Sequence, residues 1–239
     1  MEASFANCPH VDNVENAMRS IVREGLVWHV DRIEALQEEL LDGEKNEISN
    51  MATVRLREYT AGRTAARKAL RSITGQTHSI LRASDRRPLW PAKITGSITH
   101  TRIFAGCVAA RIMDEQEDSS SMKDKARGLF RSIGFDMEAC ARVSRDIWNF
   151  IATESELETL NSLRGTEALE SASLIFSAKE SYYKALPPGL QKRISTFTDI
   201  ELNPCETPGI LKARSKADTC QTDIFCSFAQ NHCITLSLR

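Results

Sequence analysis

Apolar positions recur at helical spacing in the first third of the chain and alternate in several later stretches. Val14, Ala17, Met18 and Ile21 are followed by Ile33, Leu36 and Leu40, which predicts helix over part of residues 13–41. Asp42-Gly43 is a turn signal, and a second helical pattern, rich in alanine and arginine, runs from about Lys45 to Ile73 with Gly75 placed to stop it. In SDRRPLWP two prolines exclude regular structure. An alternating, β-branched run from Ile94 to Val108, interrupted at Gly96, predicts strand.

Residues 113–128, MDEQEDSSSMKDKARG, are almost wholly polar and predict a mobile loop. They divide an N-terminal lobe, 1–112, from a C-terminal lobe, 129–239. In the second lobe RSIGFDME reads as a strand, and TESELETLNSL reads as a helix opened by a Thr153 and Glu156 capping box. SAKESYYKAL reads as a further helix starting near Ser177, and STFTDIELNP and TDIFCSFAQNHCITLSL alternate like antiparallel strands. Mixed order of this kind, without strict βαβ alternation, predicts an α+β fold of two similar-sized lobes.

Composition narrows the function classes. With 239 residues, 41% hydrophobic and 26% charged, the chain has enough apolar content for a buried core. Its formal net charge of -1 announces no nucleic-acid partner, so any anion site must arise from local clustering. Short, interrupted apolar runs and an N-terminus without a basic flank predict a cytoplasmic protein with no membrane partner. Seven cysteines with no CxxC fit reduced thiols. Cys205, Cys220, Cys226 and Cys233 lack the close pairs of a zinc knuckle.

Four stretches carry candidate chemistry. In GFDME, Asp136 and Glu138 are two apart on a strand and project from one face, at a spacing that can share a divalent ion; the alternative is a solvated edge. A glycine before the first acid allows close backbone approach. In FSAKESYYKAL, Glu180 is open to two readings. Ser177 and Glu180 satisfy a capping box, and Glu180 and Lys184 have the spacing of a surface ion pair; equally, Glu180 can face the acid pair and Lys184 a phosphate. In GRTAARKALR, Arg63, Arg67 and Arg71 form one basic row, either solvated or facing a flat ligand, with Arg55 and Arg57 upstream. Arg86 and Arg87, before Pro88, are further anion contacts on a stiffened loop, and Ser97, Thr99 and His100 in GSITHT supply donors suited to phosphate oxygens.

The series GR-x-x-AR, RP-x-WP-x-x-x-x-GSITHT, GFDME and FSAKESYYKAL resembles the surfactin/enterobactin-type 4'-phosphopantetheinyl transferases, from about Arg55 to Leu186. The resemblance implies a pseudo-twofold pair of similar lobes, each a small, mainly antiparallel sheet packed with a long helix, with coenzyme A and magnesium in the cleft between them. It implies that Asp136, Glu138 and Glu180 bind the metal. Lys179 and Lys184 hold phosphates, Arg87 beside Pro88 lies near the adenine and its phosphate, and Arg55, Arg63, Ser97 and His100 contact nucleotide phosphates. Thr99 and Arg67 are counted with this group. The implied reaction moves phosphopantetheine from coenzyme A to a serine of an apo acyl- or peptidyl-carrier protein, with Glu180 and Lys184 as catalytic groups. The implied partner is an acidic carrier domain and the implied state a monomer. Phe135, the Ala139-Cys140 pair and the length of the polar stretch depart from the family's pattern.

Overall fold

The computed structural model describes residues 5, 8–112 and 130–239. The polar stretch 113–128 expected as a mobile loop lies outside the described residues. The chain divides into two compact units, Arg23–Ile133 and Met1–Val22 with Gly134–Arg239. The first 22 residues thus belong with the second half, which a division at 112 does not anticipate. They hold strand β1 (His10–Val11), paired parallel with a C-terminal strand, and helix α1 (Val14–Ile21). Asn13 caps that helix by accepting a hydrogen bond from Asn16 N, and Val14, Ala17, Met18 and Ile21 are its buried face, as the spacing predicts.

In the unit Arg23–Ile133, strand β2 (Leu26–Arg32) is followed by the short helix α2 (Asp42–Lys45), the long helix α3 (Thr53–Thr74), and the hairpin β3 (Ile94–His100) and β4 (Phe104–Arg111). The sheet is antiparallel in the order β2-β4-β3. Ile33 and Leu36, expected on a helix, instead reach the core from the 3-10 turn and coil that follow β2. Small residues set the packing: Ala61, Ala65, Ala66 and Ala69 of α3 meet Ala105, Cys107 and Ala109 of β4 in one core. Helix α3 stops at Gly75, in the left-handed region at φ 71°, whose N–H closes on Arg71 O. Gly96 does not interrupt its strand. A Cβ there would lie 2.8 Å from the Trp90 ring, so the glycine makes room for that side chain; the chain reverses after His100.

In the other unit, β5 (Ile133–Ala139), α4 (Trp148–Ile151), α5 (Glu154–Ser162), α6 (Gly165–Ala185) and α7 (Pro188–Gln191) precede β6 (Ile200–Pro204), β7 (Ile210–Ser215), β8 (Thr222–Ala229) and β9 (His232–Leu238). The sheet runs β5-β9-β8-β7-β6, with β1 beside β8. Each unit is therefore a mainly antiparallel sheet packed with one long helix, α3 or α6, and the fold is α+β. Among the described residues the two sheets are unequal, three strands against six. Among the described residues no helix is long and apolar enough to cross a membrane. Cys226 and Cys233 are buried, Cys205 is half-buried and Cys220 exposed, all as free thiols.

Candidate active site

Strand β5 and helix α6 approach one another more closely than any side chain at residue 134 permits. A Cβ on Gly134 would fall 1.7 Å from Ser181 O, so the glycine lets the two backbones touch. Residues of α6 that carry only small side chains, Ala178, Ser181 and Ala185, are fully buried along this helix. The consequence is local. Asp136, two residues along β5, comes within hydrogen-bond reach of two polar side chains on α6, Ser177 and Lys184.

Lys184 Nζ donates to Asp136 Oδ1 at 2.6 Å and to Phe135 O at 3.3 Å, and lies 3.8 Å from Glu180 Oε2. Ser177 Oγ donates to the other carboxylate oxygen, Asp136 Oδ2, at 2.8 Å. The capping box between Ser177 and Glu180 does not form, because α6 begins at Gly165 and both residues lie inside it. Glu180 is therefore no first-turn residue; its carboxylate is free of the helix end and stands one turn from Lys184.

The charges at this spot are coupled. Burial raises the pKa of Glu138, and the nearby Asp136 and Glu180 carboxylates raise it further against Arg142 and the Ala139 amide. Burial likewise raises that of Glu180, with Lys184 opposing and Asp136 adding to the shift. For Lys184, burial by itself lowers the pKa, but Asp136, Glu180 and Glu138 reverse this and hold the ammonium charged. Three carboxylates thus crowd one ammonium.

An all-oxygen set of carboxylates is the donor chemistry a hard divalent cation such as magnesium takes, and the mutual repulsion felt by Glu138 and Glu180 is what such a cation relieves. The set fits in chemistry and neighbourhood. As they stand, among the described residues no three His, Cys, Asp or Glu side chains converge as a formed ion site. Lys184 supplies the positive charge beside Asp136 instead.

Lys179 corrects the expectation of a phosphate contact. Its side chain is fully buried, and Nζ spends its donors on Glu156 Oε2 at 2.6 Å, Ile151 O at 2.8 Å and Phe197 O at 3.1 Å. One residue from Glu180, it points away along the helix wheel into protein. Glu156 also accepts from Thr153 N, completing the expected capping box of α5, and from Leu202 N on β6.

The basic candidates of the Arg23–Ile133 unit separate into two kinds. Arg55 Nη1 lies 2.5 Å from His100 Nε2 and 3.2 Å from Glu58 Oε2, so Arg55 and His100 stand together, half-exposed, where α3 meets the end of β3. Arg63 is buried, its guanidinium 4.5 Å from the Tyr59 ring, and among the described residues its Nε has no hydrogen-bond partner. An orphaned buried donor of that charge suits an anion. Arg67 differs: it is buried against the equally buried Glu44 at 2.5 Å, with Thr64 Oγ1 and Glu39 O as further acceptors, which corrects its placement as a ligand contact. The row Arg63, Arg67 and Arg71 is not one face of uniform exposure: Arg63 and Arg67 are buried, while Arg71 is exposed and donates to Thr77 Oγ1.

Arg87 is half-exposed and pairs with Asp85 at 2.7 Å, on a narrow turn in which Ala83 N donates to Arg87 O and Arg82 bridges Pro88. Ser97 and Thr99 are buried, and the β pleat sends them to the face opposite Ile98, which packs under Gly62 of α3. They are thus not brought together with His100. Sequence reasoning missed Glu44 and Glu47. Glu44 also accepts from Ile80 N and Leu41 N, while Glu47 accepts from Arg82 N and Nε and from Tyr59 OH. Burial and that Glu47 contact push the Tyr59 phenol up to about 12. The acids sit in an unremarkable EKNE stretch, and apart from Leu41 N their partners lie 12 to 36 residues away, so no local pattern marks those contacts.

Comparison with known proteins agrees with this division. Residues 43–110 match the model of the 4'-phosphopantetheinyl transferase N-terminal domain, and residues 132–237 match that of the 4'-phosphopantetheinyl transferase superfamily. The chain belongs to the 4'-phosphopantetheinyl transferase superfamily. It is 28% identical over 145 residues to 4'-phosphopantetheinyl transferase Npt of Nocardia iowensis, covering 61% of this chain and 58% of that protein. To enterobactin synthase component D of Escherichia coli it is 32% identical over 130 residues, 54% of this chain and 53% of that one. The chain spans little more than half the length of these curated relatives. A holo-(acyl-carrier-protein) synthase from Bacillus anthracis, solved with CoA (3',5'-ADP), aligns over 44% of this chain and 92% of that one at 25% identity and a TM-score of 0.38, a likeness too distant to carry argument.

Proposed function

We propose that the chain transfers the 4'-phosphopantetheine group of coenzyme A to a serine hydroxyl of an apo acyl- or peptidyl-carrier protein, leaving holo carrier and 3',5'-ADP, with magnesium as cofactor. The observation that supports it best is the pairing of Asp136 with Lys184 beside Glu138 and Glu180, in a chain whose two halves match the two domain models of the family.

Breaking a diphosphate asks for a base at the entering hydroxyl and positive charge at the departing phosphate. Glu180, with a pKa lifted by burial, is the stronger base for it and takes the serine proton at its carboxylate. Lys184, held charged by Asp136, donates to the oxygen of the departing nucleotide phosphate. Asp136, Glu138 and Glu180 would hold the magnesium ion, which when bound neutralises diphosphate charge. Arg55, Arg63, His100 and Arg87 contact the nucleotide phosphates in this reading, while Lys179 and Arg67 hold the protein together.

The carrier is acidic in this reading and docks on a basic or apolar surface around residues 149–190, where Phe150 stands 72% exposed. The deciding experiment mixes protein, coenzyme A, magnesium and an apo carrier and follows the carrier's mass. Gain of a phosphopantetheine arm supports the proposal; an unchanged mass across a panel of apo carriers overturns it.

A further inference from the structure

The hydroxyl of Ser177 has an occupation that the motif around it does not reveal. It is fully buried inside α6, too far from the helix start to cap it, and is 2.8 Å from Asp136 Oδ2 and 2.9 Å from Thr235 Oγ1 of β9. Thr235, also fully buried, lies 2.9 Å from Ser177 O as well. Two hydroxyls bring two protons to this group. Thr235 has Ser177 O or Ser177 Oγ as acceptors, and either choice leaves the Ser177 proton for the carboxylate, the strongest acceptor present. The direction of the hydrogen bond is therefore set from β9 inward, through α6, to β5.

Its effect falls on one oxygen. Asp136 Oδ2 is held by Ser177, so Oδ1 is the oxygen left to face Lys184, the ammonium that also lies 3.8 Å from Glu180 Oε2. A buried carboxylate fixed at one oxygen cannot swing, and its other oxygen keeps one position without further loss of rotamer freedom when it takes a cation. We infer that Ser177, oriented by Thr235, is a positioning residue that aims Asp136 Oδ1 at the divalent cation. This rests on the reading of Asp136 as a metal ligand given above.

The test uses the full chain and manganese(II), whose binding is read by electron paramagnetic resonance without coenzyme A or carrier. Ser177→Ala is expected to weaken manganese binding about 10–100-fold, the range for loss of a hydrogen bond to a ligand, with occupancy recovered as the cation is raised. Ser177→Cys fills the same space with a poor donor and should bind as weakly as the alanine variant. Thr235→Val, which keeps shape and removes the outer proton, gives a smaller loss in the same direction and serves if the Ser177 variants fail to fold. Manganese binding of wild-type strength in either folded Ser177 variant, or in Thr235→Val should those not fold, overturns the inference. Asp136→Asn separates the two claims. If it alone loses manganese, the positioning role fails and the metal reading stands; if it binds as wild type, the metal reading itself is wrong and the inference falls with it.

Discussion

Lys179 Nζ stands 2.6 Å from Glu156 Oε2, and the structure leaves both side chains essentially without solvent. The pair joins α6 to the start of α5, and through Ile151 O, Phe197 O and Leu202 N it gathers four segments around the helix that carries Glu180 and Lys184. Burial lowers the Lys179 pKa while Glu156, and to a lesser degree Glu201, oppose the shift, so the ammonium depends chiefly on the Glu156 carboxylate. Lys179→Met should therefore destabilise by about 3–5 kcal/mol, because it leaves Glu156 charged and buried without its partner. Adding Glu156→Gln to Lys179→Met should recover part of the loss. Denaturant unfolding of the two singles and the double measures it; additive losses would show that the residues act separately.

Gly134 makes a second prediction about packing. An alanine Cβ 1.7 Å from Ser181 O cannot be accommodated by turning a side chain, since the atom it meets is backbone. Gly134→Ala should cost about 3 kcal/mol or more. It should also pull Asp136 away from Lys184, so that transfer activity falls further than the folded fraction does. Unfolding curves and the rate per folded molecule separate the two effects. A variant with wild-type stability would mean that β5 and α6 pack more loosely than the structure has them.

The placement of the candidate site residues was legible where it follows a short period, and not where it depends on distant partners. Asp136 and Glu138 read as one strand face, and Glu180 and Lys184 as one helix stripe, because both elements are regular there. The start of α6 was hidden. Its N-cap, Arg164, makes no side-chain capping bond, and buried serines at 171, 173, 177 and 181 interrupt the apolar stripe that would have announced the helix. Lys179 could not be placed, since its acceptors are at 151, 156 and 197. Strand β2, LVWHVDR, was lost for another reason: none of its residues is fully buried, and its neighbours read as helix.

Arg55 and Arg67 lie on the same helix and should behave oppositely. Arg55 is half-exposed beside His100, and losing it removes a charge-assisted donor; Arg55→Ala should raise the KM for coenzyme A by about 10–100-fold, the equivalent of one such bond, with little change in stability. Arg67→Met strands the buried Glu44 carboxylate, which also anchors Ile80 N, and should lower stability by about 3–5 kcal/mol. For the protein that remains folded, KM for coenzyme A should stay as in wild type. Thermal melts and steady-state kinetics on both variants suffice. Reversed effects would return Arg67 to the ligand site.

Glu180 and Glu138 give the site its dependence on pH. Burial raises the pKa of each carboxylate above the ordinary value of 4.5, and Asp136 adds to both. A carboxyl whose folded pKa lies above its unfolded one contributes stability that is fully present below 4.5 and is lost as pH rises through the folded value. Without metal, the protein should therefore lose stability on going from acid to mildly alkaline pH as these two groups ionise together. Glu180→Gln removes one of the crowded charges. It should flatten that slope and make the metal-free protein more stable than wild type at pH about 8, while turnover falls at least about 100-fold because the base is gone. Magnesium should stabilise wild type more than the variant, because under the proposed function the ion binds the carboxylates that repel. Urea unfolding from acid to alkaline pH, with chelator and with magnesium, gives all three comparisons. A glutamine variant with the same pH slope as wild type would mean that the Glu180 charge is solvated in the folded protein, and normal turnover in that variant would take Glu180 out of the proton transfer.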